Sequence, residues 1–350
     1  MNFVIRERDF LYKKLLVLFF SVFICLILFE FSVRFLFPNQ DGYGYPAGLF
    51  VTDNITGYKY APNFHGFFPN EPYTNISITI NSKGLRDYEH DYSREKKKNV
   101  RILGLGDSLM FGAGVEYEDS YFRLLEKNLR IDGTDVEIVK MGVNGYNFDQ
   151  IYNYYFNEGY KYDPDILLLS VVLNDVQKTN VQKLKTDMFD PHESIKEKII
   201  NFLYTNSRSA KYILNFIYSL RNNGTYSEVY FKRIHMLWTD DSSWNDYNEK
   251  LMDFHEKIRA KDKNLVLVVF PYEQQFFSTE YQDKIPQSRL KNFSTKNNVP
   301  LLDFTPVLER TDYKTFYLTG DSVHLNAQGY FLTANETYPL IHSLIENISR

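Results

Sequence analysis

An α/β fold, with a parallel sheet covered by helices on both faces, is predicted from about Val100 to the C-terminus on three observations. Runs such as Val100–Leu105, Ile166–Leu173 and Leu265–Phe270 are almost wholly apolar, the mark of strands buried on both faces. Stretches of helical spacing separate them. Polar residues suited to chemistry follow several of the runs, and the C-terminal ends of parallel strands are where such groups collect.

In chain order, Val100 to Leu105 is a short apolar run ending in Gly106. Phe122, Leu125 and Leu129 give a helical spacing over 121–129. Val136 to Met141 reads as the second strand, and Ile166 to Leu173 as the third, introduced by Asp163-Pro164-Asp165. A helix is expected from about Trp244 to Ala260, a fourth strand over Leu265–Phe270, a fifth over Val299–Asp303, and a last helix from about Ala327 to Ile345. The polar stretch 176–243, with a helical patch over Tyr212–Leu220, is an insertion into the minimal alternation, placed to border the strand ends where functional groups collect or to pack elsewhere.

The N-terminal part differs. Leu15 to Phe29 is nearly unbroken apolar sequence, and Phe31–Phe37 extends it with only Glu30 and Arg34 interrupting. Together they suffice for a helix crossing a bilayer, which needs about 20 residues, and Pro38 ends it. Arg34 can snorkel to headgroups, whereas Glu30 must sit at the interface or lie beyond the true span. Arg6, Arg8, Lys13 and Lys14 precede the span and predict a cytoplasmic N-terminus. No small-x-small cleavage site follows, so a retained anchor is expected rather than a removed signal peptide. The expected organisation is a cytoplasmic tail at 1–14, a transmembrane anchor at 15–37, a strand-and-loop region at 38–98 and the α/β domain at 99–350. Within 38–98, Ile76–Ile80 alternates as a strand and Asn81-Ser82-Lys83-Gly84 closes it as a turn.

Composition narrows the function classes. A formal net charge of −4 and no basic cluster beyond Lys96-Lys97-Lys98 argue against nucleic acid as a partner. The single cysteine, Cys25, lies in the apolar segment and permits no disulfide framework. His65, His90, His192, His235, His255 and His342 lack metal-ligand spacing, and no phosphate-cradling glycine loop occurs, so neither metal nor cofactor is expected. The Asn-x-Ser/Thr triplets at Asn75 and Asn223 are assigned no function. Heavy use of Tyr (28) and Phe (29) suits sugar faces or a membrane interface, though core packing accounts for most of it.

Four strand ends carry the chemistry. The first gives Gly104-Leu105-Gly106-Asp107-Ser108, placing Ser108 at a strand-to-helix turn with its amide at a helix start, where negative charge is favoured. The second ends in Met141-Gly142-Val143-Asn144-Gly145-Tyr146, whose glycines let a backbone amide approach a ligand. The third ends in Leu173-Asn174-Asp175, whose Asn side chain is a candidate oxyanion donor. The fourth position is Asp321-Ser322-Val323-His324. A serine becomes a nucleophile only when a base takes its proton, and that base needs an orienting acceptor. An Asp three residues before a His reaches the same imidazole from one turn. Each motif alone is weak, but their order and strand ends agree.

Taken together they resemble the SGNH branch of the GDSL esterase/lipase superfamily, in its membrane-anchored bacterial form, from about Asn99 to the C-terminus. The resemblance implies a flavodoxin-like three-layer fold, the triad Ser108, Asp321 and His324, and an oxyanion hole from Ser108, Gly145 and Asn174. His324-Leu325-Asn326-Ala327-Gln328-Gly329 continues the last block. Val172 stands where the family's third block usually has glycine, which bears on the Asn174 backbone. Asn81-Ser82-Lys83-Gly84-Leu85-Arg86 also resembles a stretch common just upstream of the domain in anchored members, with no role derivable from sequence. The expected activity is hydrolysis of an ester through an acyl-serine, with an O-acetyl group on an envelope glycan as substrate. The alternatives are an O-acyltransferase with the same triad, or a catalytically silent carbohydrate-binding protein. No cofactor is expected from these residues, and they leave protein partners open.

Overall fold

The computed structural model describes residues 2–36, 45–68 apart from 47, 76–93, 100–179, 199, 203, 207–222 and 226–349. The expected helix stop at Pro38, the lysine run at 96–98, most of the first half of the 176–243 insertion, and Asn75, His192 and Asn223 lie outside them. The chain divides into two compact units, Met1–Tyr43 with His192–Glu228, and Gly44–Pro191 with Val229–Arg350.

In chain order the elements are α1 (Asn2–Leu36), β1 (Phe50–Asp53), β2 (Gly57–Tyr60), β3 (His65–Phe67), β4 (Ser77–Thr79), β5 (Val100–Gly106), α2 (Ser108–Phe111) and α3 (Tyr121–Ile131). There follow β6 (Val136–Gly142), α4 (Phe148–Asn157), β7 (Ile166–Val172), α5 (Arg208–Asn222), α6 (Tyr226–Thr239) and α7 (Asp241–Arg259). The chain ends with β8 (Asn264–Phe270), α8 (Gln274–Phe277), α9 (Ile285–Asn297), β9 (Leu301–Asp303), α10 (Thr305–Glu309) and α11 (Ala327–Ser349).

The first unit holds α1 and α5. Within α1, Tyr12–Leu36 forms a window of mean hydropathy 2.7, long and apolar enough to cross a membrane. Among its described residues only Glu30 and Val33 are covered to any degree.

The second unit is built on a five-stranded sheet of order β6-β5-β7-β8-β9, parallel throughout. Every residue of β7 is buried, as is nearly all of β5 and β8, because apolar side chains on both sides of a strand need a helical layer on each face. Neighbouring residues of β5 show the two layers. A Cβ added at Gly104 would meet the Phe122 ring of α3, while Leu103 packs toward Gly159, just after α4. One helix pair is α3 with α11. The other is α4 with α7, locked by Phe148 against Tyr247 and by Tyr155 and Phe156 against Phe254. The order places β5 between β6 and β7, so the winding reverses beside β5, where open α/β sheets offer a crevice. Two antiparallel hairpins, β1–β2 and β3–β4, precede the sheet in the same unit.

The expected strands and helices occur close to their predicted ranges. The differences are at ends. The alternating run 76–80 keeps ladder pairing only over Ser77–Thr79, and Leu173 leaves β7 to begin a single 3-10 turn over Leu173–Val176. The helical patch at 212–220 extends to Arg208–Asn222.

Candidate active site

The strand ends bring the predicted residues together. β5 runs into Ser108 through Asp107, whose carboxylate accepts the Leu109 amide at 3.0 Å and so caps the turn. The short helix α2 can lie this close to the sheet because Gly142 has no side chain; a Cβ there would fall 2.2 Å from the Phe111 nitrogen. Ser108 Oγ lies 2.7 Å from His324 Nε2, and His324 Nδ1 lies 2.7 Å from Asp321 Oδ2. The other Asp321 oxygen accepts the Val323 and His324 amides at 2.8 and 3.0 Å, which fixes the carboxylate within its own turn. All three side chains are buried. The order of the chain, hydroxyl to imidazole to carboxylate, is the one that lets a serine proton move to a base held in one tautomer.

Electrostatics support the same assignment of roles. Burial works against the charged imidazole of His324, but the Asp321 charge and hydrogen bond, with Asp107 nearby, outweigh it and raise its pKa above the ordinary value. Burial likewise drives Asp107 up to about 6, against the opposing pull of the Leu109 amide, His324, Ser108 and Asn174. Asp175 is raised well above the carboxylate range by burial and by the Asp107 charge, only partly countered by the Val172 amide that it accepts at 3.1 Å.

Gly145 and Asn174 close the other side. The loop after β6 is tied to the end of β5 by the Val143 amide donating to the Gly106 carbonyl at 3.2 Å, and a Tyr146 amide bond to the Val143 carbonyl closes a turn. Gly145 occupies its third position at φ +77°, which a type II turn requires and a side chain disfavours. Asn174 Nδ2 donates to the Tyr146 carbonyl at 3.3 Å, and Asn174 Oδ1 accepts from the Tyr272 hydroxyl at 3.1 Å. Val172, in place of a glycine, sits at φ −112° and ψ 152°, extended backbone that valine adopts without strain. Valine at this position therefore adds no backbone strain to the segment leading to Asn174.

Several supporting residues were not identified from sequence. Tyr60 Oη accepts the Asn144 amide at 2.8 Å, and the Tyr58 hydroxyl donates to the Asn144 carbonyl at 2.8 Å, so two side chains of β2 grip the two peptides flanking Asn144, the second of which carries the Gly145 amide. The Tyr146 hydroxyl returns the contact by donating to the Tyr58 carbonyl at 2.5 Å. Arg86, the last residue of the Asn81–Arg86 stretch, is almost wholly buried and donates to the carbonyls of Gly112 (2.8 Å), Val115 (2.9 Å) and Ser77 (2.9 Å). Its charge thus lies at the C-terminal end of α2, where carbonyls lack partners. Asn81 folds the stretch by accepting the Lys83 and Leu85 amides, both at 2.9 Å. For Tyr58 and Tyr60 the sequence signal was the tyrosine-rich alternation Gly57-Tyr58-Lys59-Tyr60, and for Arg86 it was the Asn81–Arg86 stretch, which carried no role.

Beside Asn174 the Trp238 indole donates to the Leu173 carbonyl at 2.6 Å. Leu173, Phe231, Ile234, Trp238, Tyr272 and Tyr281 line a mostly apolar cavity there. Among the described residues no group of three or more His, Cys, Asp or Glu side chains is arranged to hold a metal ion.

A family model described as the GDSL-like lipase/acylhydrolase family matches residues 105–332. Solved structures of similar fold include an acetyl xylan esterase, AlAXEase (17% identity, 69% of this chain and 100% of that one, TM-score 0.44). The psychrotrophic esterase EstA from Pseudoalteromonas sp. is 15% identical over 71% of this chain and 100% of its own, with a TM-score of 0.44. TesA is 13% identical over 70% and 99%, with a TM-score of 0.45. No curated protein matches the chain.

Proposed function

The chain belongs to the GDSL-like lipase/acylhydrolase family, and on that premise we propose that it is a membrane-anchored serine esterase acting outside the cytoplasm. The observation that carries the serine mechanism is the unbroken chain from Ser108 Oγ through His324 to Asp321, with 2.7 Å at each link. Ser108 Oγ attacks the acyl carbonyl carbon while its proton passes to His324 Nε2. The carbonyl oxygen becomes an oxyanion held by the amides of Ser108 and Gly145 and by Asn174 Nδ2. The tetrahedral centre collapses, the carbon–alkoxide bond breaks, and His324 returns the proton to the leaving oxygen. Water then repeats the sequence on the acyl-serine, His324 taking its proton, and releases the carboxylic acid and free Ser108.

The helix Tyr12–Leu36 supports the anchor, and Arg6, Arg8, Lys13 and Lys14 before it support a cytoplasmic N-terminus. An O-acetyl ester on an envelope glycan is the substrate class that this placement favours. A chain-length series of nitrophenyl esters reads the acyl preference directly.

The deciding experiment is hydrolysis of p-nitrophenyl acetate by the folded protein beside Ser108→Ala. Loss of kcat by about 10^6-fold, toward the residual rate left by the oxyanion donors alone, is the expected result. Equal rates in both proteins would remove Ser108 as the nucleophile. Adding a sugar acceptor and analysing products then shows whether water or a hydroxyl takes the acyl group.

A further inference from the structure

Helix α5 carries a face that the chemistry above does not use. Ile213, Ile217 and Leu220 recur at the i, i+4, i+7 spacing of one helix side, and they are 43%, 40% and 64% exposed. Large apolar side chains on successive turns facing outward form a surface that calls for a partner.

What lies next to that surface is given by the way α5 begins. Glu30 of α1 accepts the Ser209 amide at 2.9 Å and the Arg208 amide at 3.0 Å, together with the hydroxyls of Ser207 (2.8 Å) and Ser209 (2.6 Å). The same carboxylate pairs with Arg34 Nε at 2.7 Å. Glu30 is thus the cap of α5, supplied by another helix, and the one carboxylate of the apolar window is fully compensated by donors. The joint occupies a single turn of α1 near the end of Tyr12–Leu36. Around it α1 presents Phe31, Phe35 and Leu36 outward, 67%, 85% and 64% exposed. The stripe of α5 therefore continues, within one compact unit, the apolar surface of the anchor. Residues 208–222 also contain Arg208, Lys211 and Arg221 and no acidic residue, a composition suited to anionic headgroups.

We propose that α5 is an interfacial membrane helix, its Ile213–Leu220 stripe seated among lipid acyl chains at the boundary where α1 leaves the bilayer, and held at that depth by Glu30. The occupant of the stripe is lipid. This reading rests on α1 being a membrane anchor, and Cys25 separates the two claims. It is the sole cysteine and lies within α1, so labelling the natural chain reports the anchor alone.

The test uses the full chain reconstituted into phosphatidylcholine/phosphatidylglycerol vesicles and an environment-sensitive fluorophore on one cysteine at a time. The sites are Cys25 and, in a Cys25→Ser background, Ile217→Cys, Leu220→Cys and the exposed catalytic-unit control Ile131→Cys. Labels at 25, 217 and 220 are expected to emit at shorter wavelength and to lose intensity with brominated acyl chains. Shallow bromines should quench 217 and 220 best and deep bromines 25, with 131 unaffected. If 217 and 220 behave as 131 does while 25 is quenched, α5 lies in water and the proposal fails with the anchor intact. If 25 is not quenched, the anchor reading fails and takes this one with it. Blue-shifted emission at 217 and 220 without bromolipid quenching would mean that protein covers the stripe, which also overturns a lipid occupant.

Discussion

His324 owes its raised proton affinity to Asp321, and that dependence shows in the pH profile. A base must be neutral to accept the Ser108 proton, so kcat/KM rises with pH through the His324 pKa and levels off above it. Because that pKa is raised, the acid limb is expected to lie above the free-imidazole value of about 6.5. Asp321→Asn removes the charge that raises it and offers the wrong hydrogen-bond partner. The limb should move to lower pH while kcat falls by about 10^4-fold, the penalty of a misplaced tautomer. An unmoved limb would disconnect Asp321 from His324. Asp107 acts on stability instead. Its carboxyl titrates at about 6 in the fold against about 4 when unfolded, so the protonated form favours the native state. That contribution is complete below pH 4 and is lost as pH rises through 6, about 3 kcal/mol in all. Asp107→Asn keeps a cap for Leu109 and removes the titration. The stability difference between variant and parent, measured by denaturant unfolding, should therefore shift by about that amount between about pH 3 and pH 8. A constant difference would place the Asp107 pKa elsewhere.

At the scale of elements, the hairpin strand β2 reaches into the chemistry. Tyr60 and Tyr58 hold the two peptides on either side of Asn144, and the amide of the second, that of Gly145, is a proposed oxyanion donor. Tyr60→Phe leaves the buried Asn144 amide without its acceptor and costs about 1–3 kcal/mol. Since an oxyanion donor acts on the transition state, the expected signature is a fall of roughly tenfold in kcat with KM little changed. A change confined to thermal stability would make Tyr60 a packing residue only. The contrast between what was and was not legible in the sequence follows from range. β5, β7 and β8 announce themselves through local apolar runs, and Ser108, Gly145, Asn174, Asp321 and His324 through short motifs at strand ends. Tyr60 and Asn144 are 84 positions apart, and Glu30 and Ser209 are 179 apart. No local pattern encodes such a contact, so Glu30 reads in sequence as a misplaced charge and Arg86 as part of a stretch without a role. Each finds its partners only after the chain has closed.

Over the whole molecule, the residues proposed for chemistry and those proposed for membrane contact fall in different units. Ser108, Gly145, Asn174, Asp321 and His324 all lie within Gly44–Pro191 and Val229–Arg350, together with Tyr58, Tyr60 and Arg86, while α1 and α5 belong to the other unit. Two truncations separate these contributions. A chain beginning at residue 44 loses α1, and with it the Glu30 cap on α5, a local cost of about 1 kcal/mol borne outside the catalytic unit. Its turnover of a soluble ester should stay within about twofold of the full chain, since every group that touches the reaction remains and a change of 0.4 kcal/mol is roughly twofold. A chain beginning at residue 99 spans the same sheet and triad but lacks β1 to β4, Tyr58, Tyr60 and Arg86. The carbonyls of Phe111, Gly112 and Val115 then lose three guanidinium hydrogen bonds, and the Gly145 turn loses both tyrosine grips. That fragment should unfold at lower denaturant concentration and lose at least tenfold in kcat where it does fold, at about 1.4 kcal/mol per tenfold. Equal activity from both truncations would show that the hairpins are a spacer and that the hydrolase sheet positions its own oxyanion loop.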